Sequence, residues 1–327
     1  MGIPITHILM PTRPQVDTAI AVYLLRRYGE KEFPGIGTAV CRVSPKLPDG
    51  KNGAALEAEG MLCIDIGGGK FDHHGHAEKV TACDLVARCL RVEREPSIQK
   101  MLELARRDDF YGKGTVSSDP LDRAFGFPGL LAAMNKEYPD DSERIMRVFS
   151  ELLSYHHREE IRRTKELPEE LAAKSGAGAV TTFSVKQRDK KLKVAIIESD
   201  SVSMPGFLRS REGGGFDVVV QMRTTGHVNI LTRQMKRVDL RSLAVLVRTE
   251  ENTRSKHQSD FPPRLLALAG RLDDIPEWYY DTATNSLQNG GASPQGVAPT
   301  RIAKDAWPKL VEVGLSEQLW SPMRKER

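Results

Sequence analysis

The sequence predicts an α/β protein of two domains: a parallel-sheet N-terminal domain over residues 1–175 and a smaller, β-rich α/β domain over 176–327. Three observations carry this. Short apolar runs alternate with stretches of helical period through the first 110 residues, as in a parallel sheet with crossover helices. The run at 61–66 holds one aspartate and closes on Gly67, Gly68 and Gly69, as a strand does when it ends at a ligand site. Beyond the small-residue stretch at 175–178 the chain turns β-rich. A length of 327 residues suits two domains, and 39% hydrophobic with 28% charged residues excludes disorder over most of the chain.

The elements follow in order. Residues 5–10 form an apolar run stopped by Pro11 and read as a buried strand. Asp17 stands where an N-cap is expected, before the apolar-periodic stretch from Ala19 to Leu25, and Gly29 is placed to end that helix. Residues 38–43 are a second strand and 61–66 a third. Residues 80–92 and 98–110 have helical period, with Asp108 and Asp109 closing the latter. Residues 128–165 are mostly helical, and the charge run 158–165 is a solvated helix face. Strands are expected at 180–185, 191–198, 217–222 and 227–232, and a helix at 240–248.

The bulk chemistry narrows the function classes. A net charge of +4 fits a slightly basic enzyme or an anionic ligand equally well; a protein devoted to binding nucleic acid usually concentrates more positive charge on one face. Cys41, Cys63, Cys83 and Cys89 contain no Cys-x-x-Cys pair and are too few for a disulfide scaffold, so reduced thiols are expected. The first residues lack a basic region followed by an apolar run, and no stretch approaches a membrane span. A cytoplasmic protein with no membrane partner is the expectation, and a homodimer is an admissible assembly.

One constellation carries chemistry. An aspartate inside an apolar strand is costly to bury unpaired. Asp65 is such a residue, and in open α/β sheets ligands bind beyond the carboxyl ends of strands. Asp72, His73 and His74 follow seven residues later and add a carboxylate and two imidazoles. Hard divalent ions such as Mg²⁺ and Mn²⁺ take carboxylates, Mn²⁺ also accepts imidazole, and a neighbouring carboxylate can fix a ligating histidine's tautomer.

The succession Asp17, Asp65, Asp72-His73-His74 and Asp108-Asp109 resembles the DHH phosphoesterase superfamily over roughly residues 5–112. The resemblance implies metal-dependent hydrolysis of a phosphodiester or phosphomonoester, with Mn²⁺ or Mg²⁺ as cofactor and a nucleotide or short single-stranded nucleic acid as substrate. It makes Asp17, Asp65, His73 and one of Asp108 and Asp109, with Asp109 preferred because it precedes the turn at 110–112, metal ligands, Asp65 the bridging one, and Asp72 and His74 the catalytic pair, with His74 facing the phosphate. The family's first motif, His-x-x-Pro-Asp-x-Asp, is here Pro11-Thr-Arg-Pro14-Gln15-Val-Asp17, so one histidine and one aspartate are missing. His7 is the candidate that would replace the lost histidine as a ligand.

Arg209, Arg211, Gly213, Gly214, Gly215 and His227 resemble, less specifically, the substrate-binding part of the small C-terminal domain of these proteins. There a glycine loop and basic side chains hold the substrate phosphate in a cleft between domains. The usual Gly-Gly-Gly-His string is broken by Phe216. Residues 278–280 suit either a stacking surface or the core. The stripped first motif also motivates a rival: a degenerate relative that binds nucleotide or nucleic acid without cleaving it.

Overall fold

The structure is a computed structural model and describes residues 3–48, 50–112, 118–255, 260–291 and 296–319. The chain divides into two compact units, Met1–Thr164 and Lys165–Arg327.

The first unit opens with β1 (His7–Met10), α1 (Val16–Tyr28), β2 (Val40–Val43), the short α2 (Gly53–Glu57) and β3 (Met61–Cys63). The strands form a parallel sheet in the order β2-β1-β3, with His7 level with Val40 on one side and Met61 on the other. Around it lie α3 (Ala82–Cys89), α4 (Gln99–Tyr111), α5 (Pro120–Phe125), α6 (Phe127–Glu137) and α7 (Ser142–Ile161). Every residue of α1 from Val16 to Leu25 is buried, so this helix is central rather than amphipathic. Its N-cap is Gln15, not Asp17; Asp17 lies inside the first turn, where its carboxylate meets the positive end of the helix. Gly29 is the C-cap, as the composition suggests.

The second unit contains α8 (Leu167–Gly176), β4 (Val180–Gln187), β5 (Lys190–Glu198), α9 (Met204–Arg209), β6 (Val218–Met222), β7 (Val228–Thr232) and α10 (Arg241–Thr253), then α11 (Pro263–Leu266), β8 (Gly270–Leu272), β9 (Ile275–Asp281), β10 (Ser286–Gln288) and α12 (Trp307–Ser316). Its seven-stranded mixed sheet runs β4-β5-β6-β7-β10-β9-β8, with β5 and β6 parallel. The protein is therefore mixed α/β, with a three-stranded parallel sheet and a separate seven-stranded one. The units divide earlier than the small-residue stretch at 175–178 because Leu167 and Leu171 of α8 pack with Ala195, Phe207 and Val219. Residues 278–280 belong to β9, with Trp278 buried against Trp307 in the core and only Tyr279 exposed. Among the described residues no helix is long and apolar enough to cross a membrane.

Candidate metal centre

The site is assembled at the carboxyl end of the parallel sheet. β3 ends at Cys63, so Asp65 is not within the strand but two residues beyond it, in the left-handed region at φ 60°. A non-glycine residue held there is strained, and such strain persists where the surroundings impose it. Here the Asp65 amide donates to the Phe71 carbonyl (3.0 Å), while Gly67 and Gly68 continue the turn at φ 82° and 60°. The loop folds back and delivers Asp72, His73 and His74 to the end of the strand that precedes it.

His73 is held by a bond that sets its tautomer. Its Nδ1 lies 2.9 Å from the Val80 carbonyl, which can only accept, so Nδ1 carries the proton. In the neutral ring Nε2 is then the lone pair that a metal requires, and a carbonyl partner on the other nitrogen is the usual orienting arrangement. Nε2 stands 2.9 Å from Asp65 Oδ1 and 3.9 Å from Asp17 Oδ2. Asp65 Oδ1 is buried and accepts no hydrogen bond.

Both carboxylates are buried. Asp17 Oδ1 accepts from the Thr18 amide (2.7 Å) and Oδ2 from the Ala82 amide (3.1 Å), while Asp65 Oδ2 accepts from the Thr18 hydroxyl (3.2 Å). Burial, reinforced by the charge of Asp17, pushes the Asp65 carboxyl up to about 7, and burial also raises Asp17. Two buried carboxylates that resist ionising together are stabilised by a cation between them.

Asp109 Oδ2 is 3.7 Å from His73 Nδ1, on the proton-bearing side of the ring. Asp108, one residue earlier on α4, lines a cavity instead, so of the pair Asp109 is the one beside the histidine. Asp72 Oδ2 accepts from the Gly68 amide (2.7 Å), and Oδ1 from the His74 amide (3.1 Å) and ring Nδ1 (2.8 Å). Burial opposes its ionisation, but these bonds hold its carboxyl below the usual range. The bond to Asp72 raises His74, whose side chain is 69% exposed. Asp65, His73 and His74 each present one ligand atom, all within 4.8 Å of one another, and form a candidate metal cluster. Two ligands set at right angles about 2.1 Å from an ion lie about 3 Å apart, which is the spacing of Asp65 and His73. The carboxylate and imidazole donors present fit a divalent ion.

His7 does not reach this cluster. It starts β1, at the amino end of the sheet, where its Nδ1 meets the Thr6 hydroxyl at 2.9 Å, and the ligand role expected of it is overturned. A short apolar run cannot reveal which end of its strand faces a site.

The second unit corrects the expected glycine cradle. Gly213 N donates to the Ser210 hydroxyl, Gly214 N to the Arg211 carbonyl and Gly215 N to the Ser210 carbonyl, so these amides are spent within the loop. The Gly214 and Gly215 carbonyls accept from Lys193 and Arg233. Gly213 is required for space, since a Cβ there would lie 2.1 Å from the Phe207 carbonyl oxygen. The His227 ring is also engaged, its Nε2 with the Val297 carbonyl (2.9 Å) and its Nδ1 with the Thr225 hydroxyl (3.0 Å). Arg211 is exposed. Arg209 donates to the Pro205 and Thr232 carbonyls and borders a cavity of about 290 Å³ that Gln221 and Asn229 also line.

Sequence reasoning missed the neutral partners: the Thr18 hydroxyl, the Ala82 amide and the Val80 carbonyl. One signal for the last two was present. Thr81 and Asp84 form a capping box that starts α3 beside Asp17, and the spacing of these two residues is readable in the sequence.

No protein-family profile matches the chain, and no curated protein matches it. Among solved structures, an uncharacterized protein from Helicobacter pylori G27 is 12% identical, with 94% of this chain and 98% of that chain covered, at a TM-score of 0.23. A DHH domain from a member of the s1p family of ribosomal proteins is 14% identical, with 74% of this chain and 77% of that chain covered, at a TM-score of 0.22. At such scores neither likeness bears on fold or function. The fold and site themselves define an α/β protein with a candidate metal cluster at the carboxyl end of a parallel sheet.

Proposed function

We propose that the chain is a metal-dependent phosphoesterase of the DHH type, in which Asp65 and His73, with Asp17 and Asp109 beside them, hold Mn²⁺ or Mg²⁺. One observation carries this reading: the buried Asp65 Oδ1 lies 2.9 Å from His73 Nε2 and has no hydrogen-bond partner. When bound, such an ion supplies a water of lowered pKa and polarises a phosphoryl oxygen.

The chain's own residues prepare that chemistry. Thr18 and the Ala82 amide fix the two carboxylates, so the ligands need no rearrangement on binding. Val80 fixes the His73 tautomer. Asp72 is a positioning residue: it closes the loop through Gly68 and occupies His74 Nδ1, which leaves the exposed Nε2 of His74 to meet a substrate oxygen. Gln15, where the family carries a carboxylate, caps α1 and is exposed, which favours a single ion over a pair.

The test is hydrolysis of a panel of phosphodiesters and phosphomonoesters with Mn²⁺ present, by the wild type, Asp65→Asn and His73→Ala. The reading expects turnover that both substitutions and chelation abolish. Turnover that survives both substitutions overturns it. Tight metal binding without turnover on any member of the panel favours the non-hydrolysing relative.

A further inference from the structure

Positive charge is gathered at one end of the second unit. Residues 186–193, at the tip of the β4–β5 hairpin, hold Lys186, Arg188, Lys190, Lys191 and Lys193 against Asp189. Residues 233–237, just after β7, hold Arg233, Lys236 and Arg237 with no acidic group. Five basic groups less one acid, and three with none, make +7, more than the +4 of the whole chain. The two segments meet. Lys190 Nζ donates to the Lys236 carbonyl (3.1 Å). Arg233 and Lys236 each stand 3.8 Å from Asp217 Oδ1, and the other oxygen of that carboxylate accepts from the Lys193 amide (3.0 Å). Adding the carboxylates of Asp217 and Asp239 and the guanidinium of Arg241, which touch these groups, leaves +6. Every basic side chain of the two segments is exposed except Arg233, which is half-buried.

Two features separate this end from an ordinary solvated edge. Lys186 and Lys191 lie directly opposite each other across β4 and β5, and Lys193 follows on the same face. Like charges so placed are destabilising. Lysines do guard edge strands against stray pairing, but β5 lies between β4 and β6, so that role does not account for Lys191 and Lys193. The second feature is Met235, 92% exposed and the most exposed large apolar side chain among the described residues. It is presented by a single 3-10 turn, Gln234–Lys236, which Arg237 closes in the left-handed region at φ 46°. An apolar side chain held out among cations matches a surface that is anionic outside and apolar beneath, which is the boundary of an anionic bilayer. Nucleic acid supplies phosphates as well, but its single strands are bound on aromatic stacking platforms. Neither segment has an aromatic residue, and the ring beneath Lys193, Phe216, is packed against the core.

We propose that the basic end of the second unit docks on an anionic phospholipid surface, with its lysines and arginines at the headgroups and Met235 entering the acyl boundary. The expectation of no membrane partner followed from the want of a spanning segment, and a peripheral contact needs none. Charge alone or one apolar side chain alone gives marginal attachment, whereas the two together hold a protein at such a surface. The contact is independent of the metal cluster and of the phosphoesterase reading.

The test is sedimentation of the full chain with vesicles of phosphatidylcholine alone and of phosphatidylcholine with phosphatidylserine at about 3:1. The proteins are the wild type, Met235→Ser, the double variant Lys236→Gln/Arg237→Gln, and a control, Arg123→Gln/Lys136→Gln, which removes two exposed charges from the first unit. The wild type and the control should bind the mixed vesicles roughly tenfold tighter than the neutral ones. Lys236→Gln/Arg237→Gln should lose about tenfold of that affinity, and Met235→Ser about fivefold at unchanged charge. All three altered side chains of the basic end are exposed, and if one variant fails to fold the other decides. Equal binding to the two kinds of vesicle, a control that loses as much as Lys236→Gln/Arg237→Gln, or a Met235→Ser that binds as the wild type does overturns the proposal. An oligonucleotide titrated in parallel separates the other polyanion: binding to it that Lys236→Gln/Arg237→Gln weakens, with no sedimentation on the mixed vesicles, overturns the proposal in favour of nucleic acid.

Discussion

Asp65 Oδ1 and His73 Nε2 face each other 2.9 Å apart, and with His73 Nδ1 bonded to the Val80 carbonyl the neutral ring turns its lone pair to the carboxylate. In a buried place this juxtaposition is unfavourable until a cation separates the two atoms. Metal binding should therefore stabilise the first unit. At one hundred times Kd the gain expected from mass action is about 2.7 kcal/mol, and thermal melts with and without Mn²⁺ measure it. His73→Ala should remove the shift.

The same juxtaposition makes Asp65 destabilising in the metal-free protein. Burial and the charge of Asp17 push its carboxyl up to about 7, so its ionisation near neutrality works against folding. Asp65→Asn keeps the shape and removes the charge. In chelator at pH 7.5 its midpoint in urea should exceed that of the wild type, by an amount on the order of 1–3 kcal/mol. An unchanged or lower midpoint would show that Asp65 is already satisfied without a cation.

Gly213 should prove structural. Gly213→Ala places a Cβ 2.1 Å from the Phe207 carbonyl oxygen, and backbone must move. We expect a loss of roughly 2–4 kcal/mol in urea unfolding, the scale of overpacking, with no change in affinity for inorganic phosphate. Weakened phosphate binding at intact stability would restore the cradle that the spent amides exclude.

His157 gives the first unit a pH dependence remote from the cluster. Its ring is buried, with Nδ1 2.8 Å from the Tyr23 hydroxyl and Nε2 3.0 Å from the Ser97 hydroxyl. Burial, aided by Arg27, lowers its pKa below the ordinary 6.5. The folded state thus binds fewer protons than the unfolded state as pH falls below 6.5. This contribution to stability is fully present above that value and is lost on acidification through the folded pKa. His157→Gln should flatten the decline of the melting temperature between pH 6.5 and 5; an unchanged slope would contradict it.

Much of the first unit was legible because its signals are local. An apolar run interrupted by one carboxylate and followed by glycines marks a strand end, and Asp65 and His73 stand out as polar groups where burial is expected. The ordered spacing also pointed to Asp17 and Asp109, which lie 3.9 Å and 3.7 Å from the His73 ring nitrogens but outside the cluster of Asp65, His73 and His74. What was not legible depends on backbone direction and on partners without charge. His7 reads as a site residue until the parallel register puts it at the far end of β1. Gly213, Gly214 and Gly215 read as a phosphate cradle until their amides are seen to close the loop on Ser210 and Arg211. The basic end of the second unit draws on residues 186–193 and 233–237, and no periodicity joins those segments.

The most direct test of the account is the amount of Mn²⁺ retained by the purified full chain after gel filtration, compared between the wild type, Asp65→Asn and His73→Ala. The account predicts stoichiometric metal in the wild type and a fall of at least tenfold in each variant. Equal retention in all three proteins would contradict it.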